Sequence, residues 1–138
     1  FGTRPPATQA VVQAMESANG EVIVDSGASE ANALGLTTQV PVREVFLTSG
    51  PSRTLQLGSR TVDLQHSKRW LWALGKRPAG RAIRALSWLG PENGAHALKV
   101  LHTQLAAEEW TAMRAARPML PSWMARAVGE ASEVSTGG

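Results

Sequence analysis

Between Glu44 and His66 the apolar residues recur at every second position, and this stretch restricts the fold more than any other. In "VREVFLTS", Val45 and Leu47 fall on one face while Glu44 and Phe46 fall on the other. Leu55 and Leu57 alternate with Thr54 and Gln56, and Val62 and Leu64 alternate with Thr61, Asp63 and Gln65. A period of two belongs to a strand, whose side chains point alternately to opposite faces. "SGPSR" and Gly58-Ser59 read as the turns between the runs; Gly-Ser suits a two-residue hairpin. The spacing predicts three antiparallel strands in a meander.

The flanks have the helical period instead. "PPATQAVVQAMESANG" reads as a helix opened by Pro5 and Pro6, with Ala7, Val11, Met15 and Ala18 on one stripe and Gly20 as the stop. "EVIVD" is a connector or a short strand. "DSGASEANALGL" reads as a helix capped by Asp25 or Ser26, with Ala28, Ala31 and Leu34 on one side. After the strands, Pro78 opens a helix with Ile83, Leu86 and Leu89 as its apolar stripe, and Gly90-Pro91 ends it. Asn93 caps the next helix, in which Leu98, Leu101 and Leu105 share a face. Glu108 and Glu109 suit the first turn of another, where acids meet the positive helix end. Pro118 stops that one, and "PSWMARAVGEA" makes a last short helix. The fold class expected is α+β: a small antiparallel sheet surrounded by helices.

A chain of 138 residues is one domain on size grounds. It has no cysteine, which removes disulfides and cysteine-held metals and fits a cytoplasmic location. No apolar run approaches the roughly 20 residues needed to span a bilayer, and no secretory signal is visible. Residues 1–130 are expected to form the domain and 131–138, "ASEVSTGG", a fraying polar tail. The first residue is Phe1, so the chain reads as a fragment of a longer protein.

Net charge is only +3, but its distribution is uneven. From Arg53 to Arg84 there are eight basic residues and one acid, against six basic residues and ten acids elsewhere. Arg53, Arg60, Lys68, Arg69, Lys76, Arg77, Arg81 and Arg84 are therefore the candidate site, a basic centre suited to a polyanion or an acidic protein surface. Arg77, Arg81 and Arg84 line one side of the helix begun by Pro78, with no acid at helical spacing. The plain alternative is that these cations solvate an outer face; binding is the reading favoured.

No catalytic pattern is complete among the remaining residues. His96 and His102 stand six apart, which does not bring them to one helix face as metal ligands. Asp63 lies near Lys68 but has no second carboxylate at metal-sharing spacing; Asp25 and Glu30 would have to converge through the fold. "SGPSR" lacks the order of a nucleophile elbow, and "GPSRTLQLG" lacks the Gly-Lys-Ser/Thr of a phosphate loop. The chain is expected not to be an enzyme and to need no cofactor or metal, with a nucleic-acid-processing enzyme as the remote alternative. Of five tryptophans, Trp70, Trp88, Trp110 and Trp123 read as core anchors, and Trp72, beside Lys68 and Arg69, as the one to find exposed.

The string "SGASEANALGLTTQVPVREVFLTSGPSRTLQLGSRTVDLQHS", with Ala33-Leu34-Gly35-Leu36-Thr37-Thr38-Gln39-Val40-Pro41 and Val45-Phe46-Leu47-Thr48-Ser49-Gly50 as its marks, resembles the C-terminal region of AbiEi-type antitoxins of type IV toxin–antitoxin systems. "KRPAGRAIRALSWLG" is similar to the helix that follows the sheet in that family. The likeness covers approximately residues 2–129 and holds no catalytic signature. It implies a transcriptional regulator whose winged helix–turn–helix, absent from this sequence, binds the operator. It also implies an antitoxin that counters a nucleotidyltransferase-like toxin. In such a domain the Arg53–Arg84 cluster would add non-specific DNA phosphate contacts. The alternative is a protein-interaction domain that binds the toxin or dimerises.

Overall fold

A computed structural model of the chain describes residues 6–137, with side chains from 7 to 131. Helix α1 (Pro6–Asn19) leads to strand β1 (Ile23–Asp25) and helix α2 (Gly27–Ala33). Strands β2 (Glu44–Thr48), β3 (Arg53–Leu57) and β4 (Arg60–His66) follow, then a one-turn helix α3 (Arg69–Trp72). Helices α4 (Pro78–Leu89), α5 (Pro91–Gln104), α6 (Ala107–Ala116) and α7 (Ser122–Gly137) complete the chain. The class is α+β. Pro6 opens α1; Pro5 lies outside the described residues. The segment expected to be a tail from 131 continues the α7 backbone instead, its side chains lying outside the described residues.

The sheet is not the expected meander. It has four strands in the order β1-β2-β4-β3, and "EVIVD" supplies the fourth. β1 runs antiparallel to β2, β3 antiparallel to β4, but β2 and β4 run parallel, with Phe46 opposite Leu64 and Thr48 opposite His66. β4 has inserted between β2 and β3. Its Val62 and Leu64 are almost wholly buried, and it takes the central place, flanked on both edges. "SGPSR" is accordingly an arch rather than a hairpin turn. It passes over the end of β4, where the His66 amide donates to Ser52 Oγ (2.8 Å) and His66 Nδ1 bonds the Gly50 carbonyl (2.8 Å). Gly58-Ser59 is the hairpin turn the dipeptide predicts, joining the paired Leu57 and Arg60 with Gly58 at φ +67°.

Two apolar centres hold the elements. One lies between α1 and the sheet: Val12, Ile23, Phe46, Val62 and Leu64, bordered by Met15, Leu55 and Leu57. The face of α1 turned inward is Thr8–Val12–Met15, while Ala7 and Ala18 are exposed. Alanines signal a helix face weakly because they bury little area. The second centre joins α4 to α7 through Ile83, Leu86, Leu98, Leu101, Met113 and Met124. There Leu98 and Leu101 are fully buried and Leu105 partly so, as their spacing predicts. The cap of α5 differs from expectation. Gly90 (φ +83°) precedes Pro91 at the first turn, and Asn93 Nδ2 reaches back to the Leu89 carbonyl at the end of α4 (3.2 Å). Among the described residues no helix is long and apolar enough to cross a membrane.

Ser26 caps α2 as predicted, its side chain accepting from the Ser29 amide (3.3 Å). That helix then lies close against α4 at Gly27. A Cβ there would stand 2.5 Å from the Arg84 carbonyl oxygen and 2.7 Å from Trp88 Cβ. Neither is the end of a flexible side chain, so the two helices would have to part. Gly27→Ala should therefore destabilise the fold by about 1–3 kcal/mol, read as a lower urea midpoint. A midpoint equal to wild type would mean that α2 and α4 are not in contact there.

Candidate functional site

The eight candidate cations do not share one open face. Arg84 is 1% exposed and lies inside the fold. Its Nε and Nη2 donate to Glu30 Oε2 (3.2 and 2.8 Å), and its Nη1 donates to the carbonyls of Leu71 (3.1 Å) and Gly75 (2.9 Å). Those carbonyls belong to the end of α3 and the turn after it, groups that a helix terminus leaves without partners. Arg84 is thus a structural tie between α2, α3 and α4, out of reach of a phosphate. Burial pulls its guanidinium below the usual arginine range, against the Glu30 carboxylate, which raises it. Arg81 Nε takes the other oxygen of the same carboxylate, Glu30 Oε1 (2.9 Å).

The remaining pairs follow one rule: each partner acid comes from outside the basic window. Arg77 grips Glu109 of α6 with two parallel bonds, Nε to Oε1 and Nη2 to Oε2, both 3.0 Å. Glu109 Oε1 also accepts from the Ala79 amide (3.0 Å), capping α4, whose own N-cap residue Arg77 offers no side-chain acceptor. The Arg77 guanidinium first, and the Ala79 amide second, hold the Glu109 carboxyl below its ordinary range. Arg53 Nη2 donates to Glu21 Oε1 (2.7 Å), and Thr48 Oγ1 donates to Glu21 Oε2. Arg53 above all holds that buried carboxyl low, against the opposing effect of burial. Lys76 meets Glu16 of α1 (3.0 Å) and Arg60 meets Glu44 of β2 (2.7 Å). Six of the eight are in ion pairs; Lys68 and Arg69, both exposed, have no carboxylate partner among the described residues.

Asp63, weighed as a metal ligand, accepts from Arg43 and from Thr54 Oγ1. Among the described residues no three His, Asp or Glu side chains come together as a metal site. His102 packs its ring 5.1 Å from that of Trp110.

What remains open is apolar. Trp72 is half-buried and donates its indole N–H to the Ser67 carbonyl (3.0 Å), whereas Trp88, read as a core anchor, is 42% exposed. Trp88 rims a groove of about 510 Å³ between the end of α4 and the face of the sheet opposite α1. Val45 and Leu47 line it from β2, Leu71 from α3, and Pro41 and Val42 from the loop before β2. Val42 is 96% exposed. That loop is pinned where Asn32 Nδ2 donates to the Gln39 carbonyl (2.7 Å). The sequence marks this segment only as a break in pattern, so the groove was not anticipated; the exposed pair Val40 and Val42 beside Pro41 is the signal that was there. A second, smaller cavity of about 360 Å³ between α1, β1 and α4 is polar, with Gln9, Gln13, Lys76 and Arg81 among its walls.

Two outcomes test these assignments. Glu30→Ala leaves Arg84 charged and buried, and should cost about 3–5 kcal/mol, while Arg81→Ala removes a partly exposed partner and should cost about 1 kcal/mol or less. Equal losses in chemical denaturation would refute the division of roles. Glu109 has a lowered folded-state pKa, so its contribution is present above the unfolded value of about 4.3 and is lost as pH falls through the folded one. Wild type and Glu109→Gln should differ in unfolding midpoint at neutral pH and converge below about pH 4. A gap that stays constant with pH would show that the carboxylate charge is not its source.

No curated protein and no solved structure matches the chain. A family model does match over residues 1–109, and its description is a family of unknown function, DUF6088. The match covers well over half of the sequence, and the chain belongs to the DUF6088 family.

Proposed function

We propose that this chain is a non-catalytic domain of an antitoxin-type transcriptional regulator, of the kind its AbiEi-like sequence marks imply, and that it works chiefly by contacting protein. The observation that carries this is the fate of the charge. Six of eight central cations are already neutralised by Glu16, Glu21, Glu30, Glu44 and Glu109, while an apolar groove stands open. A phosphate-binding face needs cations that can exchange small counterions for phosphates. A cation held by its own carboxylate has no such counterion to release. Within the central run only Lys68 and Arg69 are without a carboxylate among the described residues, so DNA contact is ranked the minor role. The partner this reading favours is a nucleotidyltransferase-like toxin.

The balance between the two roles is measurable. Binding of a short duplex, followed by fluorescence anisotropy, should be weak. Its log K against log salt should slope at about −2, from two phosphates at about −0.9 each. A slope several times steeper would return the arginine cluster to the DNA and overturn the ranking. In cells, co-expression of this chain with the product of an adjacent nucleotidyltransferase-like gene should relieve toxicity. Undiminished toxicity at equal expression would defeat the antitoxin reading.

A further inference from the structure

The groove specifies how such a partner is held, an inference that rests on the protein-contact reading of the domain. We propose that it receives an apolar segment of a partner protein that carries carboxylates, seated against Trp88 and Val42 and met at the rim by Arg43, Lys68 and Arg69.

Three observations carry this. The first is the concentration of exposed apolar area. Of the large hydrophobic side chains left exposed among the described residues, Trp88 and Val42 line this one groove, and Val40 stands on the same loop. Contiguous apolar exposure of this kind marks interaction sites, and tryptophan is the residue type most enriched at binding hot spots.

The second is charge. Among the described residues no carboxylate lines the groove, whereas the exposed Arg43 does. Lys68 and Arg69 lie on the chain between two lining residues, Ser67 and Leu71, and have no carboxylate partner among the described residues. Arg43 is bonded to Asp63, but its side chain is 71% exposed. Arg43 is therefore open to a second carboxylate while Asp63, 14% exposed, stays beside it.

The third is what this asymmetry disfavours. In a two-fold dimer the same patch faces itself, so the cations Arg43, Lys68 and Arg69 would meet a surface that offers them no lining carboxylate among the described residues. A nucleic acid would find a single exposed ring and two unpaired cations, short of the repeated stacking and phosphate contacts that strand binding uses. An acid-bearing apolar segment satisfies both the floor and the rim.

The test uses the full chain and two probes: a short synthetic peptide of alternating leucine and glutamate, and the same peptide with lysine for glutamate. Val42→Asp changes a side chain already in solvent, and Trp88→Ala keeps the Cβ against which Gly27 packs; unchanged thermal midpoints verify that both variants fold. In NMR titrations the glutamate peptide should shift the Trp88 indole and Val42 methyl signals. Either variant should weaken its binding about tenfold, and the lysine peptide should leave the signals in place. Shifts that map away from the groove, equal binding of the two peptides, or full binding by both variants would each overturn the proposal. Rescue from the toxin that is unaffected by Val42→Asp and Trp88→Ala would sink the groove and spare the antitoxin reading. Peptide binding at the groove without any rescue would do the reverse.

Discussion

The arrangement of the helices turns on one buried carboxylate. Glu30 sits on a helix of seven residues and is 2% exposed, with Arg84, at 1%, against one oxygen and Arg81 against the other. Removing two charges from water is expensive, and their attraction repays it only when the geometry is good and the remaining donors are used. Here the remaining donors are used: Arg84 also serves the Leu71 and Gly75 carbonyls. The pair is better understood as a device of position than as a source of net stability. It sets α2 along α4 at one register, which Gly27 makes close enough to reach, and it fastens the short α3 that could not persist alone. Because Ala28, Leu71 and Trp88 belong to these three helices, the same carboxylate shapes the walls of the groove.

The same device recurs at a smaller scale around the molecule. Glu109 caps a helix it does not belong to, Glu21 joins the end of α1 to β2 and β3, and Glu16 joins α1 to the turn before α4. In each case a carboxylate from one element meets a cation or amide of another, so the acids position elements rather than solvate them. This accounts for the inward placement of so many charged groups in a domain with only +3 net charge.

Local pattern was readable in the sequence wherever the physics is local. The period of two gave Val62 and Leu64 as inward residues, Ser26 capped α2, Gly58-Ser59 closed the hairpin, and Leu98 with Leu101 formed the inner face of α5. The parallel pairing of β2 and β4 was hidden, because alternation defines a face but not a neighbour. The ion pairs were hidden for a similar reason. Helical spacing tests acids three or four residues away, whereas Arg84 and Arg81 find theirs at 54 and 51 residues, and Arg77 at 32. Counting charge in a window exaggerates the basic centre because the five acids that compensate it lie outside the window. Trp88 misled in the opposite direction: a tryptophan beside the stripe Ile83–Leu86–Leu89 reads as interior, but α4 ends two residues later at Gly90 and no described element covers that end.

These placements bear on the kind of partner the domain selects. A polyanion is recognised at long range by charges free to respond to it, and six of the eight central cations already have a carboxylate of the same chain beside them. Once the cations are paired, what distinguishes one part of the exterior from another is shape and apolar area. Protein interfaces are built on that contrast, with charge depleted at the centre and retained at the rim. The groove has the apolar part of that plan, with Val42, Val45, Leu47 and Trp88 along its walls and the exposed Arg43 among them. On the proposed reading, that apolar floor supplies the affinity and Arg43 orients the partner. The ion pairs that occupy the central cations are therefore also what leaves this groove, with its apolar walls, as the feature on which the proposed reading rests.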